Sequence, residues 1–123
     1  MLQARTTLPA GMDTPAAARA FVRESAARTD IDVEDLTLVV SELVTTAVVS
    51  GSSTVEVGLV GDDHHVLVEV VEDAPSSASL TPLVEPDTSA AARGLMLVSR
   101  VAERWGVRRD GIRKVFWADL AAS

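Results

Sequence analysis

The sequence predicts an α+β fold, a two-layer sandwich in which three helices pack on one face of a mixed, mostly antiparallel sheet. Three segments carry apolar residues at helical spacing, so each needs a surface against which to bury one side. Two pairs of strand-like segments are joined by short turns, which is typical of β-hairpins. The predicted order β-α-α-β-β-loop-α-β-β lets all three helices share one apolar sheet face.

Composition indicates one domain that spans residues 1–123 and is large enough for a single core. Apolar residues make up 47% of the chain and aromatic residues only 3%, so the core must consist of Val, Leu and Ala. The absence of cysteine excludes disulfides, thiolate metal sites and thiol nucleophiles. The only histidines, His64 and His65, are adjacent, which argues against a structural zinc site and fits a solvated hairpin end.

The net charge of −7 argues against general nucleic-acid binding. Residues 93–114 nevertheless hold seven of the eleven basic side chains and two acidic ones, so this segment carries +5 and the remainder −12. Such a segment suits a phosphate ligand or an acidic partner surface, or it forms solvated helix and strand faces. Because the sequence shows neither a signal-peptide pattern nor a membrane-spanning stretch, we expect a cytoplasmic protein without membrane association.

The central helix is predicted over residues 32–51. Asp32 is placed as its N-cap, with Asp35 at the third helical position, and Ile31 and Leu36 are spaced for a hydrophobic staple. Its apolar residues form one continuous stripe: Leu36, Val39, Val40, Leu43, Val44, Ala47 and Val48. A second stripe runs beside it and contains Glu42, Thr46, Val49 and Ser50.

Before this helix, weak alternation over residues 2–8 predicts a short strand. Thr14 followed by Pro15 predicts an N-cap and the first residue of a helix over 15–28.

After the central helix, a hairpin is predicted from strands 53–60 and 65–72. The second strand is apolar on both faces, so it should lie in the middle of the sheet. Residues 73–89 then contain three prolines and little periodicity, which is typical of a lid or binding loop.

The chain ends with a helix over 90–104 and a hairpin of strands 105–109 and 112–120, joined at Asp110-Gly111. This helix is expected to bury Leu95, Val98, Val101, Ala102 and Trp105.

Three stretches together resemble a known family: residues 41–51, 68–75 and 92–107. Their order and spacing are similar to the histidine-kinase-like (GHKL) ATP-binding domain, and most similar to the small anti-sigma-factor serine-protein kinases of bacteria. The last strand, at residues 113–120, also resembles that branch. The resemblance covers nearly the whole chain and implies the fold of that domain.

The resemblance implies that the central helix carries a catalytic glutamate and, one turn later, an asparagine that ligates Mg²⁺. Glu42 matches the glutamate, which orients or deprotonates the attacking group. Thr46 stands at the asparagine position and Ser50 at a position where histidine often follows. The Thr46 hydroxyl oxygen is attached to Cβ, one bond nearer the backbone than the asparagine amide oxygen, and is a poorer Mg²⁺ ligand. Metal-dependent phosphoryl transfer should therefore be impaired.

The resemblance places an adenine-binding carboxylate at the end of the 65–72 strand. Glu72 matches this position and shares strand parity with the inward-facing valines. Asp73 takes its place if the strand end is shifted by one residue, and the two cannot both serve because a one-residue slip reverses the side chain.

The third motif of the family begins with glycines that let the lid close over the phosphates before a helix N-terminus binds them. Here the corresponding residues are Ala92, Arg93 and Gly94, so only one glycine is present. Arg93 is placed near the phosphates, and Lys114 aligns with a basic residue that faces the pocket.

Each of these residues also has a structural interpretation. Glu42 and Arg93 would then be solvated charges, and Thr46 and Ser50 would fill the helix surface. Glu72 or Asp73 would be a solubilising strand end. Gly94 would only allow close helix packing.

Two functions follow from the resemblance. The first is a regulatory anti-sigma-factor-like protein that binds a protein partner, with impaired or lost Mg-ATP chemistry, as in a pseudokinase. The alternative is an active ATP-binding serine/threonine kinase that phosphorylates an anti-sigma-factor antagonist. Substitutions at Thr46, Glu72 and Ala92 all fall in the expected pocket and favour the first. The resemblance also implies a sigma factor or its antagonist as partner, and a homodimer.

Overall fold

The computed structural model describes residues 2–26, 29–49, 53–72 and 90–122. The elements in chain order are β1 (Leu2–Pro9), α1 (Thr14–Ser25), α2 (Val33–Val49), β2 (Thr54–Gly61), β3 (His65–Glu72), α3 (Ala90–Val101), β4 (Arg104–Asp110) and β5 (Arg113–Ala121). This is the predicted order of helices and strands. The expected lid at 73–89 lies outside the described residues.

The five strands form one sheet in the order β1-β2-β3-β5-β4, so β3 occupies the central position that its two apolar faces predicted. All four pairings among the described strands are antiparallel. The predicted α+β class is confirmed, but the expectation of a mixed sheet is corrected. Strand β4 runs in the same direction as β3, yet β5 lies between them, so no described neighbours are parallel.

The core lies between the helices and one face of the sheet. Alternate residues of the three middle strands are buried on this face: Val55, Val57 and Leu59 from β2, Val66, Val68 and Val70 from β3, and Phe116, Ala118 and Leu120 from β5. From α3, Leu95 and Val98 join them as predicted. Apart from Phe116, the large buried hydrophobic side chains here are aliphatic, as the composition requires.

Helix α2 is the central element that the sequence predicted. Residues of its apolar stripe from Leu36 to Ala47 are buried, and Ile31 is buried beside them. The Asp32 carboxylate accepts hydrogen bonds from the backbone amides of Glu34 and Asp35 at 2.7 and 3.4 Å, which confirms the N-cap. The predicted end at Gly51 lies outside the described residues.

The start of α1 differs from the prediction, because Asp13 rather than Thr14 occupies the N-cap position. The Thr14 hydroxyl instead donates to the Pro9 carbonyl at 2.7 Å and accepts from the Gly11 amide at 2.8 Å. Thr14 therefore closes the connection between β1 and α1 from inside the first helical turn.

The element ends also differ in the last third of the chain. Helix α3 ends at Val101, so Trp105 belongs to β4 and is half-buried. In the final hairpin Asp110 pairs with Arg113, which makes Gly111 and Ile112 the two turn residues. Gly111 has φ +66°, as the first position of a type II′ turn requires, and Ile112 is exposed.

Among the helices in the described part of the chain, none is long and apolar enough to cross a membrane.

Candidate functional site

Glu42 and Gly94 are brought together by the packing of α2 against α3. The Glu42 carboxylate occupies the space beside Gly94 that a side chain would need. A Cβ built on Gly94 would lie 3.3 Å from Glu42 Cδ and would overlap Oε2. The predicted catalytic glutamate therefore lies against the single glycine of the third motif.

Thr46 lies one helical turn after Glu42 and is buried, with only 3% of its surface exposed. Its hydroxyl donates to the Glu42 carbonyl oxygen at 3.0 Å, within the same helix. The hydroxyl proton is thus directed at the backbone, and the two lone pairs of the oxygen remain for a ligand. Because this oxygen is attached to Cβ of an almost fully buried residue, it reaches a ligand beside the helix less readily than a longer side-chain amide oxygen would.

Glu72 and Lys114 face each other across the sheet. They are paired residues in the β3–β5 register, and Lys114 Nζ lies 3.8 Å from Glu72 Oε2. Both side chains are buried, at 0% exposure for Glu72 and 5% for Lys114. The Lys114 ammonium also lies 5.7 Å from the centroid of the Phe116 ring, within reach of a cation–π contact.

The structure thus groups four of the predicted site residues into two pairs, Glu42 with Gly94 and Glu72 with Lys114. Ala92 and Arg93 belong to α3, but their side chains lie outside the described part of the structure. Asp73 and Ser50 also fall outside it, so Glu72 is the described one of the two candidate carboxylates.

The basic segment identified from the sequence is largely paired with carboxylates. Arg104 contacts Asp119 at 3.0 Å, Arg113 contacts Glu56 at 3.6 Å, and Arg108 contacts Glu69. With Lys114 added, four of the seven basic side chains face an acidic residue on another strand. Most of the described basic side chains in this segment therefore balance carboxylates on other strands and do not form an open anion site.

One side-chain cluster was not anticipated. His65 Nε2, a Glu103 carboxylate oxygen and an Asp119 carboxylate oxygen lie within 4.8 Å of one another, at the other end of β3 from Glu72. His65 contacts Glu103 at 3.0 Å, and Asp119 is held by Arg104. Each member of the cluster thus has a partner within the protein.

The pairing of Lys114 with Glu72 has no signal in the sequence. Strand parity indicates that each faces the helices. Glu72 is two residues from the inward-facing Val70, and Lys114 is two residues from the inward-facing Phe116. Parity does not give the register between two strands that are far apart in sequence, and only that register places the ammonium opposite the carboxylate.

Two surface clefts in the described part of the chain lie beside β1 and α1. Their linings consist of residues 8–14 with Ala17, and of Leu2, Ala4, Phe21, Glu24 and Ser25. Neither lining contains a predicted site residue.

No protein-family model and no curated protein matches this sequence. Its fold matches solved structures. One is the crystal structure of the RsbU and RsbW domains of a Mycobacterium tuberculosis protein, with 17% sequence identity and a TM-score of 0.71. The match covers 98% of this chain and 32% of that one, so this chain spans about a third of its length. The chain thus shares its fold with part of that structure, which agrees with the fold that the sequence predicted.

Proposed function

We propose that this chain is a regulatory protein of the anti-sigma-factor type that binds a protein partner through its ATPase-like fold, with impaired Mg-ATP chemistry. The fold supports the regulatory class, because the likeness is to a structure with an RsbW domain. The partner class, a sigma factor or its antagonist, comes from the resemblance of the three sequence motifs. We further propose that the protein acts as a homodimer in the cytoplasm.

One observation carries the impairment. Thr46 stands where the resemblance places the Mg²⁺ ligand, is 3% exposed, and donates its hydroxyl proton to the Glu42 carbonyl at 3.0 Å. Mg²⁺ needs near-octahedral oxygen coordination at about 2.0–2.1 Å, which an amide oxygen on a longer side chain supplies more readily. Glu42 is retained, but without the metal the phosphates that it would act on are not held in line.

Isothermal titration of the wild-type protein with ATP, in Mg²⁺ and then in EDTA, tests this proposal. We expect weak binding that EDTA leaves unchanged, and tight magnesium-dependent binding would refute the impairment. Thr46→Asn is the companion variant. A gain of magnesium-dependent affinity places the limiting defect at Thr46. If there is no gain, the limiting defect lies at the base-recognising end of the site, where Glu72 would bind adenine. Thr45→Asn is the matched control, because Thr45 lies on the same helix with its hydroxyl bonded to the Ser41 carbonyl.

Partner binding is tested separately, by coexpressing the chain with individual sigma factors and candidate antagonists and measuring complex mass by light scattering. We expect a stable complex that forms without added nucleotide. Failure to bind any of them, with the chain folded, would refute the anti-sigma-factor assignment.

The alternative, an active serine/threonine kinase, is supported by the Glu42–Gly94 arrangement, since the catalytic glutamate lies at the helix that would bind the phosphates. It predicts transfer of the γ-phosphoryl group from radiolabelled ATP to a serine or threonine hydroxyl of a candidate antagonist, at a rate that Glu42→Gln abolishes. A rate equal in both proteins would exclude this alternative.

A further inference from the structure

We propose that Lys114 acts as an internal occupant of the base-recognising end of the site, where its ammonium takes the place of the adenine amino group at Glu72. This inference rests on the proposed function in one respect, the assignment of Glu72 to the adenine position. It adds a second cause of weak nucleotide binding, which is independent of Thr46 and acts at the adenine end of the nucleotide.

The geometry of the pair is fixed by the sheet. Glu72 and Lys114 are register partners on adjacent central strands, so backbone hydrogen bonding holds their Cα atoms opposite each other. The ammonium lies 3.8 Å from Oε2 and 5.7 Å from the Phe116 ring centroid, and Phe116 is itself fully buried. The lysine head is therefore held in place by both a carboxylate and an aromatic face.

The two charges depend on each other. A buried carboxylate or ammonium is costly unless it is paired, and removing one partner leaves the other as an uncompensated charge. At 0% and 5% exposure, neither side chain can exchange its partner for bulk water without a rearrangement. A ligand that approaches Glu72 must therefore displace Lys114 first.

Adenine is a poor competitor for that position. Its amino group is neutral, whereas the ammonium carries a full charge and, at 3.8 Å from Oε2, compensates the charge of a carboxylate that is shielded from water. Binding adenine would also leave the displaced ammonium to find another acceptor near Phe116. The pair thus selects against adenine while keeping the carboxylate that the family uses to recognise it.

Adenosine is the appropriate probe, because it lacks phosphates and needs no magnesium, so the result does not depend on Thr46. Its dissociation constant is measured by titration calorimetry for the wild type and for Lys114→Met. Arg109→Met is the matched control, since Arg109 is the register partner of Lys114 on β4 and is exposed. We expect at least tenfold tighter binding to Lys114→Met and no change for Arg109→Met.

Lys114→Gln provides a second test if Lys114→Met does not fold, because its neutral amide can still donate to Glu72. Tenfold tighter adenosine binding is expected in whichever of the two variants folds. Affinity equal to that of wild type, or an equal gain in Arg109→Met, overturns the inference. Glu72→Leu combined with Lys114→Met replaces the pair with apolar side chains and should show no adenosine binding. Binding retained in this double variant also overturns it.

The outcome is separable from the proposed function. Tight Mg-ATP binding by the wild type would refute the impairment. Weak Mg-ATP binding together with no adenosine gain in the Lys114 variants refutes only the present inference.

Discussion

Gly94 and Glu42 constrain each other at the level of single residues. Glycine inside a helix costs about 0.5–1 kcal/mol relative to alanine, so its presence in α3 needs a local reason. The Glu42 carboxylate supplies one, because it fills the volume in which a Cβ would lie. The flexible end of Glu42 can move aside, so the constraint acts on the carboxylate position more than on the fold.

Gly94→Ala is therefore expected to have little effect on stability alone, since the helix gain is offset by displacement of the carboxylate. In a Glu42→Ala background the same change should stabilise the protein by about 0.5–1 kcal/mol. Urea unfolding of the four proteins in this double-mutant cycle measures the coupling. Gly11→Ala serves as a control, because a Cβ there meets nothing within 4 Å. Purely additive effects would contradict the proposed contact.

Asp62 gives a pH dependence at the β2–β3 turn. Its carboxylate accepts hydrogen bonds from the backbone amides of His64 and His65 at 2.8 and 2.9 Å. These bonds, that of His64 first, lower the pKa of Asp62 below its usual value. A lowered pKa in the folded state means that the stabilisation is present above the unfolded pKa of about 3.9 and is lost as pH falls through the folded pKa.

Asp62→Asn imitates the protonated form. We expect it to be less stable than wild type at pH 7, with the difference disappearing as pH falls below about 4. Thermal unfolding across this range measures the effect, with Asp63→Asn as the control at the adjacent exposed position. A difference that stays constant with pH would show that the amide change, not the charge, is responsible.

The sequence predicts which residues lie on the inner face of the sheet, but it does not predict which of them pair across neighbouring strands. Strand parity and the resemblance predict that Glu72 faces inward, the resemblance alone predicts the same for Lys114, and both side chains are buried in the structure. Their pairing depends on the β3–β5 register, which joins residues 42 positions apart and has no local sequence signal.

At the level of elements, the threonines of α2 show how polar residues are accommodated in a buried helix. Thr37, Thr45 and Thr46 each donate their hydroxyl to the carbonyl four residues earlier. This back-bonding satisfies the donor without a partner outside the helix, so Thr37 and Thr46 can be buried. In the second stripe of α2, it directs the hydroxyl proton of Thr46 to the backbone.

The connection from β1 to α1 depends on Thr14. Thr14 is only 3% exposed. Its hydroxyl donates to the Pro9 carbonyl and accepts from the Gly11 amide. Thr14→Val keeps the shape but leaves both backbone groups unsatisfied, which should cost about 1–3 kcal/mol. Urea unfolding gives the loss, and Thr7→Val on the exposed face of β1 is the control. Equal stability of both variants would show that water replaces the hydroxyl.

The order of elements and the start of α2 were predictable because periodicity and capping are local. The start of α1 and the end of α3 were not, since they depend on contacts with neighbouring strands. The Glu103 amide donates to the Asp119 carbonyl at 2.8 Å, so the pairing of β4 with β5 has begun by this residue and α3 ends at Val101. In the final hairpin, Asp110 pairs with Arg113, which shifts the turn by one residue from the expected Asp-Gly.

For the whole molecule, charge is organised across the sheet face that the helices leave uncovered. Arg5 on β1 contacts Glu56 on β2 at 2.7 Å and Glu69 on β3 at 3.6 Å. Arg108 on β4 contacts Glu69, and Arg113 at the start of β5 contacts Glu56 at 3.6 Å. Two carboxylates and three arginines thus connect all five strands.

Residues 93–114 carry +5 and the remainder of the chain −12. In this network the basic β4–β5 hairpin supplies counterions for carboxylates on β2 and β3, so the two oppositely charged parts of the chain are joined on this face. Single exposed ion pairs contribute little, but the two glutamates are only 24% and 15% exposed at their side chains and each contacts two arginines. A shared and partly shielded carboxylate should contribute more than an isolated surface pair.

Glu69→Gln tests the network at this scale. Removing the charge leaves Arg5 and Arg108 without their common carboxylate, so we expect a loss of about 0.5–1 kcal/mol at low salt. Because salt screens partly exposed charges, the loss should shrink markedly in 1 M NaCl. Unfolding by urea, which is uncharged, allows salt to be varied independently. Glu34→Gln is the matched control, since its contact with Arg23 is 3.9 Å long and its side chain is 75% exposed. If both variants lose equal stability, or if the Glu69→Gln loss is the same at both salt concentrations, the sheet face acts as separate surface charges and the two halves of the chain are joined by the core alone.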